Sequence, residues 1–160
     1  MITAQVESLT AGLEEMKPLF PDHYKELALN QDKVPLDPCY NVYLDKDAAG
    51  EVLYVTLREL GRLIGYFVGF VHPSLHYKTC LTLQMDIFWL HPDFRDGDSL
   101  DAVERERACM TLFESVRKAA KARGVKRVFY GSKSHKDAST LFEALGMVEV
   151  ERYYSAWIGE

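Results

Sequence analysis

The chain has 160 residues, of which 48% are hydrophobic and 27% charged, as in ordinary globular domains. The formal net charge of −5 argues against a general nucleic-acid-binding protein, which needs a basic surface. The cysteines form no CxxC pair and no apolar run approaches about 18 residues, so we expect a cytoplasmic chain without structural zinc or a membrane span.

The N-terminal part predicts a short strand over residues 2–6 and then an interrupted helix. The apolar residues of that helix recur at helical spacing: Leu9, Leu13, Met16, Leu19 and Phe20. Pro18 and Pro21 interrupt or kink it, and residues 23–29 add another turn or two. After a proline-marked loop at 35–38, a weak helical pattern follows at Tyr40, Tyr43 and Leu44.

Residues 51–90 give the clearest signals of strands. The runs EVLYVTLREL and RLIGYFVGFV are rich in strand-forming residues and are separated by Gly61, which predicts a hairpin. The run TCLTLQMDIFWL alternates at first and is continuously apolar at its end, which is typical of a buried central strand.

The last third predicts alternating helices and strands. A long helix carries its apolar residues on one face, and Gly124 ends it as a C-cap. The run VKRVFYGS predicts a strand, KDASTLFEALG a short helix closed by Gly146, and MVEVERYYSAWI a final strand or half of a hairpin. The whole order predicts one mixed α/β layer domain over residues 1–160.

Three stretches in this order resemble the GNAT superfamily of N-acetyltransferases, and the resemblance covers nearly the whole chain. IFWLHPDFR is similar to the family's fourth strand and cofactor loop, and KARGVKRVFYGS to the end of its third helix and its fifth strand. HKDASTLFEALGM resembles the pattern N-x-x-A-x-x-L-Y-E-x-L-G-F, matched here by Ala138, Leu141, Glu143, Leu145 and Gly146. HPSLHYKT and GSKSHKDAS further resemble GNAT-type proteins encoded by bacteriophages, which would place the protein in the host cytoplasm.

The resemblance implies a three-layer α/β (α+β) fold, with helices on both faces of a mixed, mostly antiparallel sheet whose parallel strands four and five splay apart. It implies acetyl-CoA as the acetyl donor and a primary amine of a small molecule or protein as the acceptor. The pantetheine arm would lie between the splayed strands beside Phe88, Trp89 and Leu90, with a backbone N–H of Trp89 or Leu90 near the oxyanion. The resemblance leaves open whether the protein forms a homodimer.

The family's glycine-rich phosphate loop, R/Q-x-x-G-x-G/A, is missing from this sequence. About nine more residues than the family spacing separate Arg95 from Gly124. The following helix could start early, capped by Ser99 or Asp101, which would move its first amides away from the phosphates.

The helix could instead start near Arg107 while the extra residues bulge out. The backbone amides of Arg107, Ala108 and Cys109 would then face the pyrophosphate, and Arg105 and Arg107 would add positive charge. If CoA binds, we expect its phosphates beside residues 105–109 rather than 95–98, where Asp96 and Asp98 would repel them.

Asp86 is the candidate general base, because it interrupts an apolar strand at LQMDIFW, where burial would raise its pKa. An aspartate that faces solvent or bonds a neighbouring strand is the alternative. The family often uses a tyrosine beside the cofactor as the acid that protonates the thiolate. In this sequence the corresponding residue is Phe142, which has no proton to give. His135, where the family often has asparagine, could contact the cofactor or act as the acid, and Tyr130, Tyr153 and Tyr154 are further candidates.

Two functions therefore stay open. Asp86 and the fourth-strand and fourth-helix segments favour an acetyl-CoA-dependent N-acetyltransferase that works by direct attack of the amine on the thioester. The lost glycine loop and Phe142 favour a non-catalytic protein of the same fold that binds a protein partner. Neither function needs a metal, and His72, His76 and His91 lack the spacing of metal ligands.

Overall fold

The computed structural model of the protein describes residues 1–96 and 101–160. Its elements in chain order are β1 (Ile2–Glu7), α1 (Leu9–Met16), α2 (Phe20–Leu27), α3 (Tyr40–Ala48), β2 (Val52–Glu59), β3 (Arg62–Pro73), β4 (Leu81–Leu90), α4 (Pro92–Arg95), α5 (Ala102–Ala122), β5 (Arg127–Phe129) and α6 (Ser139–Ala144). A 3-10 helix, Lys17–Leu19, contains Pro18 and joins α1 to α2, which has Pro21 in its first turn. The predicted interruption of the first helix is therefore confirmed.

The strands form one sheet in the order β1-β2-β3-β4-β5. β1 to β4 pair antiparallel, and β4 pairs in parallel with β5. A parallel pair needs a crossover connection, and α5 provides it. The predicted fold class, a mixed and mostly antiparallel sheet with parallel fourth and fifth strands, is confirmed.

Local signals at two glycines decide where elements end. Leu60 and Gly61 both have positive φ, 49° and 85°, which is the backbone of a two-residue hairpin turn between β2 and β3. Gly124, at φ 83°, ends α5, and its N–H donates to the carbonyl of Lys121 over 3.0 Å. Both turns agree with the sequence.

Apolar side chains cover both faces of the sheet. On one face, α5 and α6 pack on β2, β3 and β4 through a core that includes Phe67, Leu83, Phe113 and Val116. On the other face, α1 and residues of α2 and α3 pack around Tyr54, Tyr66 and Trp89. Across the described residues, no helix is both long and apolar enough to span a membrane.

The end of the chain differs from the sequence prediction. Residues 147–160 form no strand, although MVEVERYYSAWI has strand-forming composition, and the prediction of a final strand is wrong for this structure. The preceding strand is also shorter than the run VKRVFYGS, because only Arg127–Phe129 pairs with β4. A strand needs a neighbour for its backbone groups, and in the described residues β5 has a neighbour on one side alone.

Candidate active site

A β-bulge in β4 sets the direction of Asp86. In the ladder with β3, Val68 lies opposite Ile87 and Gly69 lies opposite Met85, so Asp86 is the extra residue between two pairs. Bulges bend a strand and re-aim a side chain, and they are frequent next to active sites.

The bulge also shifts the alternation of side chains along β4. Before it, Leu83 and Met85 face the core under α5; after it, Phe88 and Leu90 face that core while Ile87 and Trp89 face the other. The resemblance placed three residues beside the cofactor: Phe88, Trp89 and Leu90. They lie on the second half of β4, and their side chains are divided between the two cores.

A hydrogen bond from Tyr43 of α3 holds the side chain of Asp86. The Tyr43 hydroxyl donates to Oδ2 of Asp86 over 2.5 Å. Asp86 is exposed to solvent, as in the solvent-facing alternative from the sequence, and it also bonds Tyr43. The protein atoms around its carboxyl still remove enough water to raise its pKa, and the hydrogen bond from Tyr43 opposes part of that rise. Burial, and then the neighbouring Asp86, raise the pKa of Tyr43, so Tyr43 stays protonated and remains a donor. We call Asp86 and Tyr43 the base site.

The base site lies where β4 and β5 part. The β4–β5 ladder covers only Thr82 to Gln84 on β4 and ends at the pair Gln84–Phe129, whereas β4 continues to Leu90. On the β5 side, residues 85–90 therefore have no strand partner among the described residues, and their outward backbone groups are open to a ligand. The gap matches the predicted splay of the two strands.

Four aromatic rings line the α5 side of this gap. Phe88 lies 5.2 Å from Phe113 and 6.1 Å from Phe142, and Tyr130 lies 5.3 Å from Phe113 and 5.5 Å from Phe142, all between ring centroids. Phe142 is buried and brings no titratable group. Tyr130 brings a hydroxyl, and burial raises its pKa to about 12.

The start of α5 resolves the two alternatives that the sequence left open. Asp101 caps the helix by accepting the N–H of Glu104 over 2.8 Å, and the helix begins at Ala102. The expectation of a helix start near Arg107 is wrong. The amides of Arg107, Ala108 and Cys109 lie within the helix, where intrahelical bonds occupy them.

Ala108 and Cys109 therefore cannot offer backbone N–H groups to a phosphate, as the sequence had proposed for them. Ala108 is 1% exposed in the core, and burial raises the pKa of the Cys109 thiol. Gly97 and Asp98 of the alternative loop at 95–98, and Ser99, the other candidate cap, lie outside the described residues.

A cavity of about 380 Å³ opens between the start of α5, α4 and α6. We call it the arginine groove, because Arg95 and Arg105 line it together with Glu106, Cys109, Thr140 and Leu141. Arg107 does not line this groove and is exposed. Of the two arginines proposed from the sequence, Arg105 is thus the one at a concave surface.

Glu26 of α2 joins three elements at the edge of the arginine groove. Arg95 donates to both carboxylate oxygens of Glu26 over 2.8 Å, and this pairing holds the pKa of Glu26 below its usual range. Nε2 of His135 lies 3.2 Å from the carbonyl oxygen of Glu26. His135 therefore contacts α2. Among the described residues, no hydrogen bond joins His135 to Asp86.

Two features of the site were not foreseen in the sequence. Tyr43 and Glu26 are 43 and 69 residues from their partners Asp86 and Arg95. A weak helical pattern predicted that Tyr43 lies on a helix, but nothing in the pattern pointed to β4. For Glu26 there was no signal.

Comparison with solved structures decides the fold. The protein is similar to a ribosomal-protein-alanine N-acetyltransferase from Brucella melitensis biovar Abortus 2308, with TM-score 0.69, 16% identity, and coverage of 100% of this chain and 99% of that chain. The chain has the fold of the GNAT acetyltransferases. Similar agreement is found with glucosamine-6-phosphate N-acetyltransferase from Arabidopsis thaliana, with TM-score 0.66, 10% identity and coverage of 99% of both chains.

A third GNAT structure, AAC(6')-Iy in complex with a CoA bisubstrate analogue, gives TM-score 0.62 and 15% identity and covers 98% of this chain and 97% of that chain. No protein-family model and no curated protein matches the sequence. At these identities the likeness establishes the GNAT fold alone. The bacteriophage origin and the cytoplasmic location stay predictions.

Proposed function

We propose that the protein is an acetyl-CoA-dependent N-acetyltransferase that acts on a primary amine of a small molecule or a protein. The observation that carries the proposal is the base site at the start of the gap between β4 and β5, in a chain with the GNAT fold. Acetyltransferases are among the structures of this fold, and one of them was solved with a CoA bisubstrate analogue. An ammonium ion has no free electron pair, so an amine acceptor needs a group that takes its proton, and a carboxylate can be that group.

Asp86 is the general base in this proposal. Its raised pKa brings the carboxylate closer to the pKa of the proton it must take from the ammonium of the acceptor. The bulge aims Asp86 towards the α3 face, and the hydrogen bond from Tyr43 fixes the carboxylate in one orientation. When bound, acetyl-CoA supplies a thioester carbonyl that the deprotonated amine attacks.

The open edge of β4 is the proposed binding surface for the pantetheine arm. Backbone groups of residues 85–90 that face away from β3 can pair with the amides of an extended ligand, as a strand would. The N–H of His91 bonds the carbonyl of Ile64 on β3, so by alternation the N–H of Trp89 also faces β3 and that of Leu90 faces the gap. Of the two candidates, the backbone N–H of Leu90 would then donate to the oxygen on which negative charge develops. The rings of Phe88 and Phe142 exclude water from one side of the arm.

The arginine groove is the proposed site for the phosphates of CoA. Since Asp101 accepts the N–H of Glu104 at the start of α5, positive side chains take the place of a backbone cradle. Arg95 and Arg105 line the groove, and Arg107 adds charge from outside it. Glu26 and Asp96 compensate part of the charge of Arg95.

The acid that protonates the leaving thiolate is assigned to Tyr130 or His135. The ring of Tyr130 lies in the aromatic cluster, 5.5 Å from the ring of Phe142. Phe142 stands where the family often has a tyrosine, so Tyr130 would bring a hydroxyl close to that position. His135 lies farther out, with one ring nitrogen near the carbonyl of Glu26. Separate Tyr130→Phe and His135→Ala variants distinguish the two candidates. Of these two variants, the one that lacks the acid should have a lower turnover number and unchanged CoA affinity.

A non-catalytic, partner-binding protein is the second candidate. The observation in its favour is the start of α5, where the carboxylate of Asp101 occupies an amide of the first helical turn that could otherwise face a phosphate.

Calorimetric titration with acetyl-CoA and with free CoA tests both functions. Saturable binding of both ligands, together with acetyl-CoA-dependent acetylation of an amine from a panel of polyamines, aminoglycosides and peptides, supports the enzyme. Absence of binding at millimolar ligand would overturn it in favour of the partner-binding protein.

A further inference from the structure

Beside the base site, β4 and β5 present three side chains on the face of the sheet that α1, α2 and α3 pack against. Val128 of β5 packs against the α5-side core together with its β4 partner Leu83. Side chains alternate along a strand, so the residues before and after this pair lie on the α3 side. We call three of them the shelf: Gln84, Phe129 and Arg127.

The shelf leads away from Asp86 along the two strands. Asp86 follows Gln84 by two residues on β4, and the hydrogen bond from Tyr43 of α3 shows that its carboxylate lies on the same side of the sheet. Gln84 and Phe129 are half-buried and Arg127 is exposed. Among the described residues, Phe129 belongs to neither core. The shelf is therefore an accessible surface next to the base site, across the sheet from the rings proposed to line the pantetheine arm.

Arg127 gives the far end of the shelf a positive charge. Its Cζ atom lies 6.0 Å from the ring centroid of Phe129 and 5.8 Å from that of Tyr77, and contact with two rings holds the guanidinium in place. Within the described residues, Arg127 forms no ion pair, whereas Lys46 of α3 is paired with Glu51 over 3.3 Å. The shelf thus has a carboxylate at one end and a cation without a counter-ion at the other.

We propose that the acceptor is a primary amine that also carries an anionic group, a carboxylate or a phosphate, and that Arg127 binds this anion. The inference rests on the proposed acetyltransferase function, because it places the acceptor amine at Asp86. The anion accepts hydrogen bonds from the guanidinium, and the body of the acceptor lies along Phe129 and Gln84. The side-chain amide of Gln84 can donate to or accept from a polar group there.

The separation of the two charges limits the size of the acceptor. Arg127 is level with Thr82, four residues before Asp86 on β4. A strand rises about 3.3 Å per residue and a hydrogen bond at each end takes up about 3 Å, so the acceptor spans on the order of 7 Å. That is the length of an extended dipeptide or of a medium-sized amino acid chain. A polycation, in contrast, has no group for Arg127 to bind and is repelled by it.

Initial acetylation rates with matched acceptors test the proposal on the unmodified protein. Each set has one chain length and consists of an ω-amino carboxylate, an ω-aminoalkyl phosphate and the corresponding ω-amino amide. At the best chain length, we expect KM for an anionic acceptor to be at least about tenfold lower than KM for the amide, with similar kcat. Comparison of the carboxylate with the phosphate shows which anion the shelf prefers.

Arg127→Gln tests the residue itself. It should raise KM for the anionic acceptors about tenfold and leave their kcat and the KM of the amide unchanged. Arg127→Lys keeps the charge and should keep part of the preference. The matched control is Lys126→Gln, because Lys126 is the preceding residue but lines a cavity on the α5 side of the sheet.

The outcomes separate this inference from the proposed function. Equal KM values for anionic acceptors and amides, or a preference for anions that survives Arg127→Gln, overturns the inference and leaves the enzyme standing. A loss of kcat that is equal for all acceptors in Arg127→Gln also overturns it, because that result assigns Arg127 a structural role. Absence of acetylation for every acceptor overturns the proposed function, and this inference with it.

Discussion

The base site and the arginine groove lie on either side of the gap between β4 and β5, and they are built by different means. At the base site, one extra residue in a strand aims a carboxylate, and a distant tyrosine holds it. At the arginine groove, Asp101 caps the helix start, and the side chains of Arg95 and Arg105 line the cavity.

The difference shows which parts of such a site can change. A carboxylate that takes a proton must stand at one place, whereas phosphate oxygens accept charge from any nearby cation. Binding through arginine charge is also screened by salt more than binding through a buried backbone cradle. Variants of the two regions should therefore separate rate from affinity.

The largest expected effect is at the base. Asp86→Asn should lower the turnover number by about 100-fold or more, the usual scale for a general base, with little change in CoA affinity. Initial rates with the best acceptor and calorimetry with CoA measure the two quantities. Asp45→Asn, an exposed aspartate on α3, is the control. A variant whose turnover number equals that of the unmodified protein at every pH from 6 to 9 would remove Asp86 from the mechanism.

The second effect concerns the arginine groove. Arg105→Ala should raise the dissociation constant of CoA about tenfold or more, as expected for a charge-assisted bond worth about 1.5–3 kcal/mol. Arg107→Ala, on the same helix but outside the groove, should have a smaller effect and serves as the control. Calorimetry at two salt concentrations checks both variants. Equal losses for the two arginines would show that charge alone, without the groove, binds the phosphates.

A smaller effect is expected at Tyr43. The hydrogen bond from Tyr43 lowers the pKa of Asp86, so Tyr43→Phe should let that pKa rise, and the acidic limb of kcat/KM should move to higher pH. The rate near neutral pH should fall by several-fold. Tyr40→Phe is the control, because Tyr40 lies on the same helix and its ring packs on Phe20. An acidic limb that stays in place or moves to lower pH contradicts the role of Tyr43.

The smallest effect is expected at the acidic end of the β4–α5 connection. Asp96→Asn should leave CoA affinity unchanged or improve it by less than about threefold, because it removes a negative charge paired with Arg95 at the groove. Calorimetry measures the change, with unmodified protein at the same ionic strength as reference. A gain in affinity well above threefold would instead place the phosphates near residues 95–98, where Asp96 repels them.

The fold was predictable because its signals are local. The hairpin at Gly61, the end of α5 at Gly124 and the alternation in β4 depend on neighbours within a few residues. The start of α5 had a local signal too, since Asp101 precedes Glu104 by the spacing of a helix cap. The sequence left this cap open beside the later start that the family spacing implies, and the structure has the cap.

The candidate site was only partly predictable, because its contacts join distant parts of the chain. Asp86 was found as a charge inside an apolar strand, but its partner Tyr43 comes from a helix 43 residues earlier. The bulge that aims Asp86 depends on the register with β3, which sequence alternation in β4 alone cannot give. The absence of a strand at 147–160 is also a tertiary effect, since strand composition without a neighbouring strand gives no ladder.

The bulge at Asp86 also indicates how the sequence of β4 can change over evolutionary time. Removing Asp86 would make Met85 and Ile87 neighbours on opposite faces of the sheet, and their pairing with Gly69 and Val68 would continue as one uninterrupted ladder. Phe88, Trp89 and Leu90 would stay in their present cores, whereas a deletion after Ile87 would turn the residues that follow it to the opposite faces. Lineages of this fold could therefore lose the acid by deletion at the bulge as well as by substitution, and keep the sheet.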